Sequence, residues 1–247
     1  MKVSVQSRVK SQRRTDSAGF VLHTYPYKET SLIIEAFTKD LGRVSLVAKG
    51  AKRPNSMLRG VILPFQPLEL EWSGKNELKN LYRAEWLGGY PVLRGLPLIC
   101  GFYMNELLIN LLPKDDPYEK LFQQYTRSVG ALGDSEKVSV ILRKFEKNLL
   151  KELGYQLKLD KEGAQDSLID PSVVYTYDPE LGPVRIQKNQ DDSFAIHGKT
   201  LSDIDKNDFT DPRTLYESKQ LMRHMIQHHL GDKVLHSRQL LMEYKDF

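Results

Sequence analysis

The sequence contains one cysteine, Cys100, which excludes an intramolecular disulfide framework and any metal site built from several cysteines. Its apolar neighbours and the lack of a nearby base predict a small buried hydrophobe. No apolar run is long enough to span a bilayer. The opening segment MKVSVQSRVKSQRRTDS lacks the apolar core of a secretory signal. We therefore expect no membrane segment and a reducing, cytoplasmic environment.

No catalytic motif is complete in the sequence. GKT at residues 198–200 has the end of a phosphate-binding loop, but Ser193 stands where that motif requires glycine, so we expect a turn. His224 and His228 have a spacing that suits metal ligands on a helix. Met225, however, replaces the glutamate of the zincin motif, so an exposed polar face fits better. We therefore expect that the protein is not an enzyme and that it binds no cofactor and no metal ion.

The net charge of +4 conceals an uneven distribution. Residues 1–16 contain five basic side chains and one acidic one, residues 17–90 contain ten and seven, and residues 91–247 contain 21 and 24. This imbalance favours an anionic partner at the front of the chain, and nucleic acid is the usual one. Residues 1–16 are polar and aperiodic, and we expect a disordered basic leader there.

Five short strands are predicted between residues 17 and 90. They cover about residues 20–25, 31–38, 42–49, 67–72 and 77–86. A helical turn is expected within residues 56–63. Five strands with a long connection after the third match the small barrel that commonly binds oligonucleotides.

The segment GRVSLVAKGAKRP, residues 42–54, is the most informative part of this barrel. Its period of two predicts a buried face with Val44, Leu46 and Ala48, and a wet face opposite. The predicted wet face carries Arg43, Ser45, Val47 and Lys49. Residues 39–59 hold six basic side chains and one acidic one. Such a strand and loop either contacts phosphates or is a solvated loop whose charges aid solubility, and both interpretations stand.

Helical periodicity dominates residues 91–247. Predicted helices cover about residues 96–112, a segment that starts at Pro117 behind the cap Asp116, and residues 135–153, 212–230 and 237–244. Within residues 155–210, SVVYTYD and PVRIQ are expected to pair across PELG, and a short strand is expected around SFAIHG. The expected fold class is α+β: an N-terminal five-stranded barrel, then a mainly helical C-terminal domain with a small irregular β/loop insertion.

Several segments resemble one family in the right order. The run GFVLHTYPYKETSLIIEAFTKDLGRVSLVAKGAKRP resembles the opening barrel of RecO, a bacterial recombination mediator. PFQPLEL, YMNELL at residues 103–108, LRKFEKNLLKELGY at 142–155 and SRQLL at 237–241 also look like RecO. The resemblance implies an OB-fold barrel and a helical C-terminal domain. Many relatives carry a four-cysteine zinc site after the LGY segment, but the matching stretch here has no cysteine.

The resemblance also implies a function. RecO proteins bind single- and double-stranded DNA and anneal complementary strands. With RecR they help to load RecA onto DNA covered by single-strand-binding protein, whose acidic C-terminal tail they bind. A non-enzymatic role in DNA repair, close to the nucleoid, is therefore expected. The residues themselves leave two alternatives open: an OB-fold RNA-binding protein and a non-catalytic protein adaptor.

Two sets of site residues are expected. The DNA-binding set is Arg43, Lys49, Lys52 and Arg53, assisted by Arg59, Arg83 and the leader, with Tyr27 as the base-stacking candidate. The partner tail is expected on the LRKFEK helix, with Leu142 and Phe145 on its buried side and Arg143 and Lys144 toward its edge. Tyr125 and Arg127 on the preceding helix would form the opposite wall.

Overall fold

The computed structural model describes residues 14–134, 137–163, 167–186 and 194–243. They divide into two compact units. The first contains the described residues up to Gly89 together with Lys114–Pro117, and the second contains Tyr90–Pro113 and the described residues from Tyr118 onward. No helix in these ranges combines the length and apolar character needed to cross a bilayer.

The first unit is a closed barrel of five strands, as predicted. The strands are β1 (Thr15–Tyr27), β2 (Ser31–Thr38), β3 (Gly42–Ala48), β4 (Leu68–Ser73) and β5 (Leu78–Trp86). They close in the order β1-β2-β3-β5-β4. β3 and β5 run parallel, whereas the other neighbouring strands are antiparallel. A 3₁₀ turn, Met57–Gly60, lies between β3 and β4, where a helical turn was predicted.

The barrel interior is filled by alternating apolar side chains. Val44, Leu46 and Ala48 of β3 point into the core beside Trp72, as their period of two predicts. The opposite face of β3 is not wet, however, because Ser45 is only 3% exposed and Val47 only 6%. The predicted solvated face is therefore wrong.

Residues Lys114–Pro117 belong to the barrel unit and cross the end of β3. The backbone N–H of Asp115 donates to the carbonyl of Arg43 at 2.8 Å. Gly42 has φ +64°, and a Cβ atom there would lie 1.7 Å from the carbonyl oxygen of Asp116. The helix predicted to start at Pro117 therefore begins only at Glu119, because the preceding residues pack on the barrel.

The last residues of the expected leader, residues 1–16, are structured. Thr15 and Asp16 pair with β4 as the start of β1. Arg14 lies beside them, and its Nη1 is 2.9 Å from Oε1 of Glu71. Residues 1–13 of the predicted leader lie outside the described residues.

The second unit is helical with a small sheet, which confirms the α+β class. Its helices are α1 (Gly95–Leu111), α2 (Glu119–Asp134), α3 (Val138–Glu152), α4 (Gly198–Asp205), α5 (Pro212–Leu230) and α6 (His236–Glu243). Its strands are β6 (Val174–Asp178), β7 (Gly182–Arg185) and β8 (Ile196–His197), in the order β7-β6-β8. The hairpin across PELG is confirmed, as is the short strand in SFAIHG.

The first residues of α5 and α4 can be compared with the sequence predictions. Asp211 caps α5 by accepting a hydrogen bond from the N–H of Arg213 at 2.9 Å, and Pro212 occupies the first position, as predicted. The GKT segment was predicted to be a turn. It instead begins α4, which the apolar positions Leu201 and Ile204 anchor in the core.

Candidate nucleic-acid interface and partner pocket

The basic loop, residues 49–62, is held on the barrel by its apolar side chains. Ala51 and Ile62 belong to the barrel core, and Leu58 and Val61 pack against it. The N–H of Lys52 donates to the carbonyl of Thr30 at 2.9 Å, which ties the loop to the β1–β2 turn. Because these four residues face inward, the charged side chains of the loop are left facing solvent.

Four cations of this loop are exposed: Lys49, Lys52, Arg53 and Arg59. None of them forms an ion pair with any acid that the structure describes. The sequence has no acidic residue between positions 41 and 68. Exposed cations with no acidic residue among them produce a positive potential that attracts phosphates.

Arg43 and Arg83 differ from these four. Arg43 retains only 14% side-chain exposure and lies 3.2 Å from the carboxylate of Glu35. Arg83 is half-exposed and pairs with Glu71 at 3.2 Å and with Glu85 at 2.9 Å. Both guanidinium groups are already neutralised by carboxylates, so they are poorer phosphate ligands than expected.

Tyr27, the expected stacking residue, ends β1 beside the basic loop. Its ring is partly buried, and Nζ of Lys28 lies 5.4 Å from the ring centroid. The hydrogen bond between Lys52 and Thr30 places the turn after Tyr27 next to Lys52. The structure therefore brings Tyr27 to the loop, with one ring face already occupied by a cation.

The expected groove for the partner tail is filled by core side chains. Leu142, Phe145 and Tyr125 are completely buried, and the hydroxyl of Tyr125 donates to Asn105 at 2.6 Å. Arg127 is exposed on α2, as expected. These three apolar rings and chains cannot also receive a ligand, so the predicted pocket between α2 and α3 is wrong.

Arg143 was expected at the edge of its helix, but it is buried. Its Nε lies 2.7 Å from Oε2 of Glu146, and the two side chains are only 5% and 2% exposed. Tyr103 donates to the same carboxylate at 2.6 Å. Burial raises the pKa of Glu146, and the Arg143 charge opposes that rise. Leu142, Arg143, Phe145 and Glu146 thus belong to the core, and the polar groups of Arg143 and Glu146 also line a neighbouring cavity.

That cavity, which we call the cationic pocket, has a volume of about 120 Å³. Its cations are Arg143, Lys219, Arg223 and Arg238, and its apolar wall is formed by Leu241 and Met242. Tyr103, Glu146 and Gln220 complete the lining, so one acid faces four cations. An anion with an apolar neighbour matches this combination of charge and surface.

The cations of the cationic pocket lie close enough to repel one another. The pKa of Lys219 is lowered, first by burial and then by the charges of Arg143 and Arg223. Nη2 of Arg238 is buried and has no hydrogen-bond partner among the described residues. A bound carboxylate would relieve both the repulsion and the missing hydrogen bond.

Three RecO-like segments meet at the cationic pocket. YMNELL supplies Tyr103, LRKFEK supplies Arg143, and SRQLL supplies Arg238. Glu106 of YMNELL also holds the start of α6: its carboxylate accepts hydrogen bonds from the N–H groups of His236 at 2.8 Å and Ser237 at 2.9 Å. The sequence analysis missed Lys219 and Arg223 on α5, although their spacing of four residues marks a cationic helix face.

The histidines on α5 pack against aromatic rings. His224 stacks on Phe194 with centroids 5.4 Å apart, and His229 stacks on Tyr155 at 3.7 Å. His224 and His228 are exposed, as predicted. Within the described ranges, no group of three or more His, Cys, Asp or Glu side chains is arranged to hold a metal ion.

Comparisons with known proteins cover nearly the whole chain. Family models described as Recombination protein O N terminal and C terminal match residues 13–90 and 95–239. The DNA repair protein RecO of Nitrosospira multiformis is 48% identical over 238 residues, which are 96% of this chain and 98% of that protein. The RecO protein of Aromatoleum aromaticum is 48% identical over 235 residues, which are 95% of this chain and 98% of that protein. The RecO protein of Dechloromonas aromatica is 46% identical over 247 residues, which are 99% of this chain and 100% of that protein. The chain therefore belongs to the RecO family.

Proposed function

We propose that this protein is a DNA-binding recombination mediator that binds single- and double-stranded DNA and anneals complementary strands. The observation that carries the proposal is the basic loop, where Lys49, Lys52, Arg53 and Arg59 are exposed and have no ion partner among the described residues. A positive surface on a closed five-stranded barrel suits a phosphate backbone without selecting a base sequence. Arg43, Arg83 and Tyr27 contribute at its margin.

Annealing follows from charge neutralisation and proximity. Two DNA strands repel one another, and cations that release their counterions reduce that repulsion. Holding both strands close raises their effective concentration, which speeds pairing without bond chemistry. The reaction should therefore need neither a nucleotide nor a metal ion.

The salt dependence of DNA binding tests the role of the basic loop. Each phosphate contact with single-stranded DNA contributes about 0.7 to the slope of log K against log salt concentration. Lys49→Ala with Lys52→Ala should therefore lower affinity and reduce the slope by up to about 1.4. The matched control is Lys39→Ala with Lys75→Ala, which removes two exposed lysines of the same barrel. Equal loss in both variants would show that the loop is not the site.

A second test separates DNA from RNA as the ligand. Competition between DNA and RNA oligonucleotides of one sequence measures the preference directly, since the 2′-hydroxyl distinguishes the two. A preference for DNA supports the mediator role. A clear preference for RNA would favour the RNA-binding alternative.

We further propose that the cationic pocket receives the acidic C-terminal tail of single-strand-binding protein. Such a tail ends in an apolar residue with a free carboxylate. The positive charges of Lys219, Arg223 and Arg238 suit the carboxylate, and Leu241 and Met242 suit the apolar side chain. Arg143 supports this site from the core by holding Glu146, rather than from the edge of its helix.

Arg223→Ala is the sharpest test of the cationic pocket, because Arg223 is exposed and its loss leaves the Arg143–Glu146 pair intact. A hydrogen bond to a charged group contributes about 1.5–3 kcal/mol, and an exposed arginine belongs at the lower end. Tail-peptide anisotropy should show this loss. Arg213→Ala, an exposed arginine of the same helix outside the pocket lining, should bind normally. A tail peptide whose C-terminal carboxylate is amidated should bind the wild-type protein about as weakly as the unmodified peptide binds Arg223→Ala.

The two units would then have different binding roles. The barrel would hold DNA, and the helical unit would recruit DNA that is covered by single-strand-binding protein. Cooperation with RecR in loading RecA, and a location at the nucleoid in the cytoplasm, complete the proposed role. Membership of the RecO family supports these last points.

A further inference from the structure

Met57 has the most exposed large apolar side chain that the structure describes, at 90%. It opens the 3₁₀ turn Met57–Gly60 inside the basic loop. Single exposed apolar residues are common on proteins and need no explanation by themselves. The surroundings of Met57 are what set it apart.

The turn holds Met57 in place rather than leaving it on a free loop. The next residue, Leu58, packs against the barrel core together with Val61, and the carbonyl of Leu58 accepts hydrogen bonds from Val61 at 3.2 Å and Ile62 at 3.0 Å. Anchoring of Leu58 directs Met57 outward. The exposed side chain is thus presented by a fixed piece of backbone.

Cations flank Met57 on both sides in the sequence. Arg53 precedes it and Arg59 follows it, and both are exposed without an ion pair among the described residues. A nucleic-acid strand that places its phosphates on these two arginines would bring its bases close to the same turn. Base faces are the apolar part of such a strand.

We propose that Met57 is a wedge that inserts between two neighbouring bases of the DNA strand bound by the basic loop. The proposal rests on the DNA-binding function proposed for that loop. Methionine is unbranched and polarisable, so it enters irregular gaps and contacts ring faces. Proteins insert apolar side chains, methionine among them, to unstack bases. An unstacked strand offers its pairing edges to a complementary strand, which suits annealing.

The wedge should change the shape of the strand more than the affinity. Burying a methionine side chain strengthens binding by about 10- to 150-fold, and unstacking one base step opposes it by a similar factor. We therefore expect Met57→Ala to alter DNA affinity by less than about tenfold. The salt slope should stay unchanged, because no phosphate contact is lost.

The test uses the full chain and a single-stranded oligonucleotide that carries 2-aminopurine, whose fluorescence rises when it unstacks. Wild-type protein should raise the fluorescence, Met57→Ala should lose that rise, and Met57→Leu should restore it. Met57→Lys should bind at least as tightly through its added charge and still fail to unstack the bases.

Two results would overturn the wedge. One is a wild-type complex that forms without any rise, and the other is a rise that Met57→Ala retains in full. In both cases normal binding with a normal salt slope would leave the DNA-binding function standing. If the wild-type protein does not bind the oligonucleotide at all, the proposed function fails and the wedge fails with it.

Discussion

Replacing Arg143 with alanine should destabilise the helical unit by about 3–5 kcal/mol at neutral pH, the usual cost of removing one partner of a buried ion pair. The pair qualifies as buried because its side chains are only 5% and 2% exposed. Without Arg143, the carboxylate of Glu146 would keep the hydrogen bond from Tyr103 and the weaker attraction of the Arg238 charge. A loss of this size is a large share of the stability of a typical domain, about 5–15 kcal/mol.

The loss should depend on pH in a defined direction. Burial raises the pKa of Glu146 above its ordinary value of 4.5, and removing Arg143 raises it further. A carboxyl group whose folded pKa lies above its unfolded pKa contributes stability that is present below the unfolded pKa and is lost as pH rises through the folded pKa. The difference between Arg143→Ala and wild type should therefore be smallest at and below pH 4.5 and grow toward neutral pH.

Urea unfolding followed by far-ultraviolet circular dichroism measures this difference, because the six α-helices that the structure describes all lie in the helical unit. Fluorescence of Trp72 and Trp86, the two tryptophans of the chain, reads the barrel separately. In the double variant Arg143→Ala with Glu146→Gln, the two losses should be less than additive. A loss below about 1 kcal/mol, or one that does not change with pH, would refute this reasoning.

Three further predictions follow from the described contacts. Gly42→Ala should cost about 2 kcal/mol or more in unfolding free energy, because φ is +64° and the new Cβ would meet Asp116, whereas Gly60→Ala, with open space, should be nearly neutral. Cys100 is buried with its pKa raised to about 12, so it should react with a thiol reagent only after denaturation, and rapid labelling of the native protein would contradict its burial. Lys219→Met should raise the melting temperature and weaken tail-peptide binding, because burial and two arginines lower the pKa of Lys219 and disfavour its charge in the folded state; an unchanged melting temperature would contradict this.

Local rules predicted the elements of the fold well. All five barrel strands were located, with a period of two carrying the third and the fourth, and the Asp-Pro pair at residues 211–212 marked the start of α5. These signals depend on neighbours in the sequence. The same rule failed at Asp116 and Pro117, because residues Lys114–Pro117 pack on the distant Gly42 and Arg43.

The candidate sites show the same division. The charges of the basic loop could be predicted, since composition alone marks residues 41–68 as free of acid. The sequence could not predict which basic residues form ion pairs, because Glu35 reaches Arg43 only through the β2–β3 pairing. The burial of Arg143 could not be predicted, because Tyr103 of α1 reaches the Arg143–Glu146 pair of α3 only when the two helices pack together.

The most direct test of the proposed function is the rate at which complementary single strands pair in the presence of EDTA and without a nucleotide. Wild-type protein and the control Lys39→Ala with Lys75→Ala should accelerate pairing equally. Lys49→Ala with Lys52→Ala should accelerate it much less, because fewer phosphates are neutralised. Acceleration that requires a nucleotide or a metal ion, or that survives loss of both loop lysines unchanged, would contradict annealing by the basic loop.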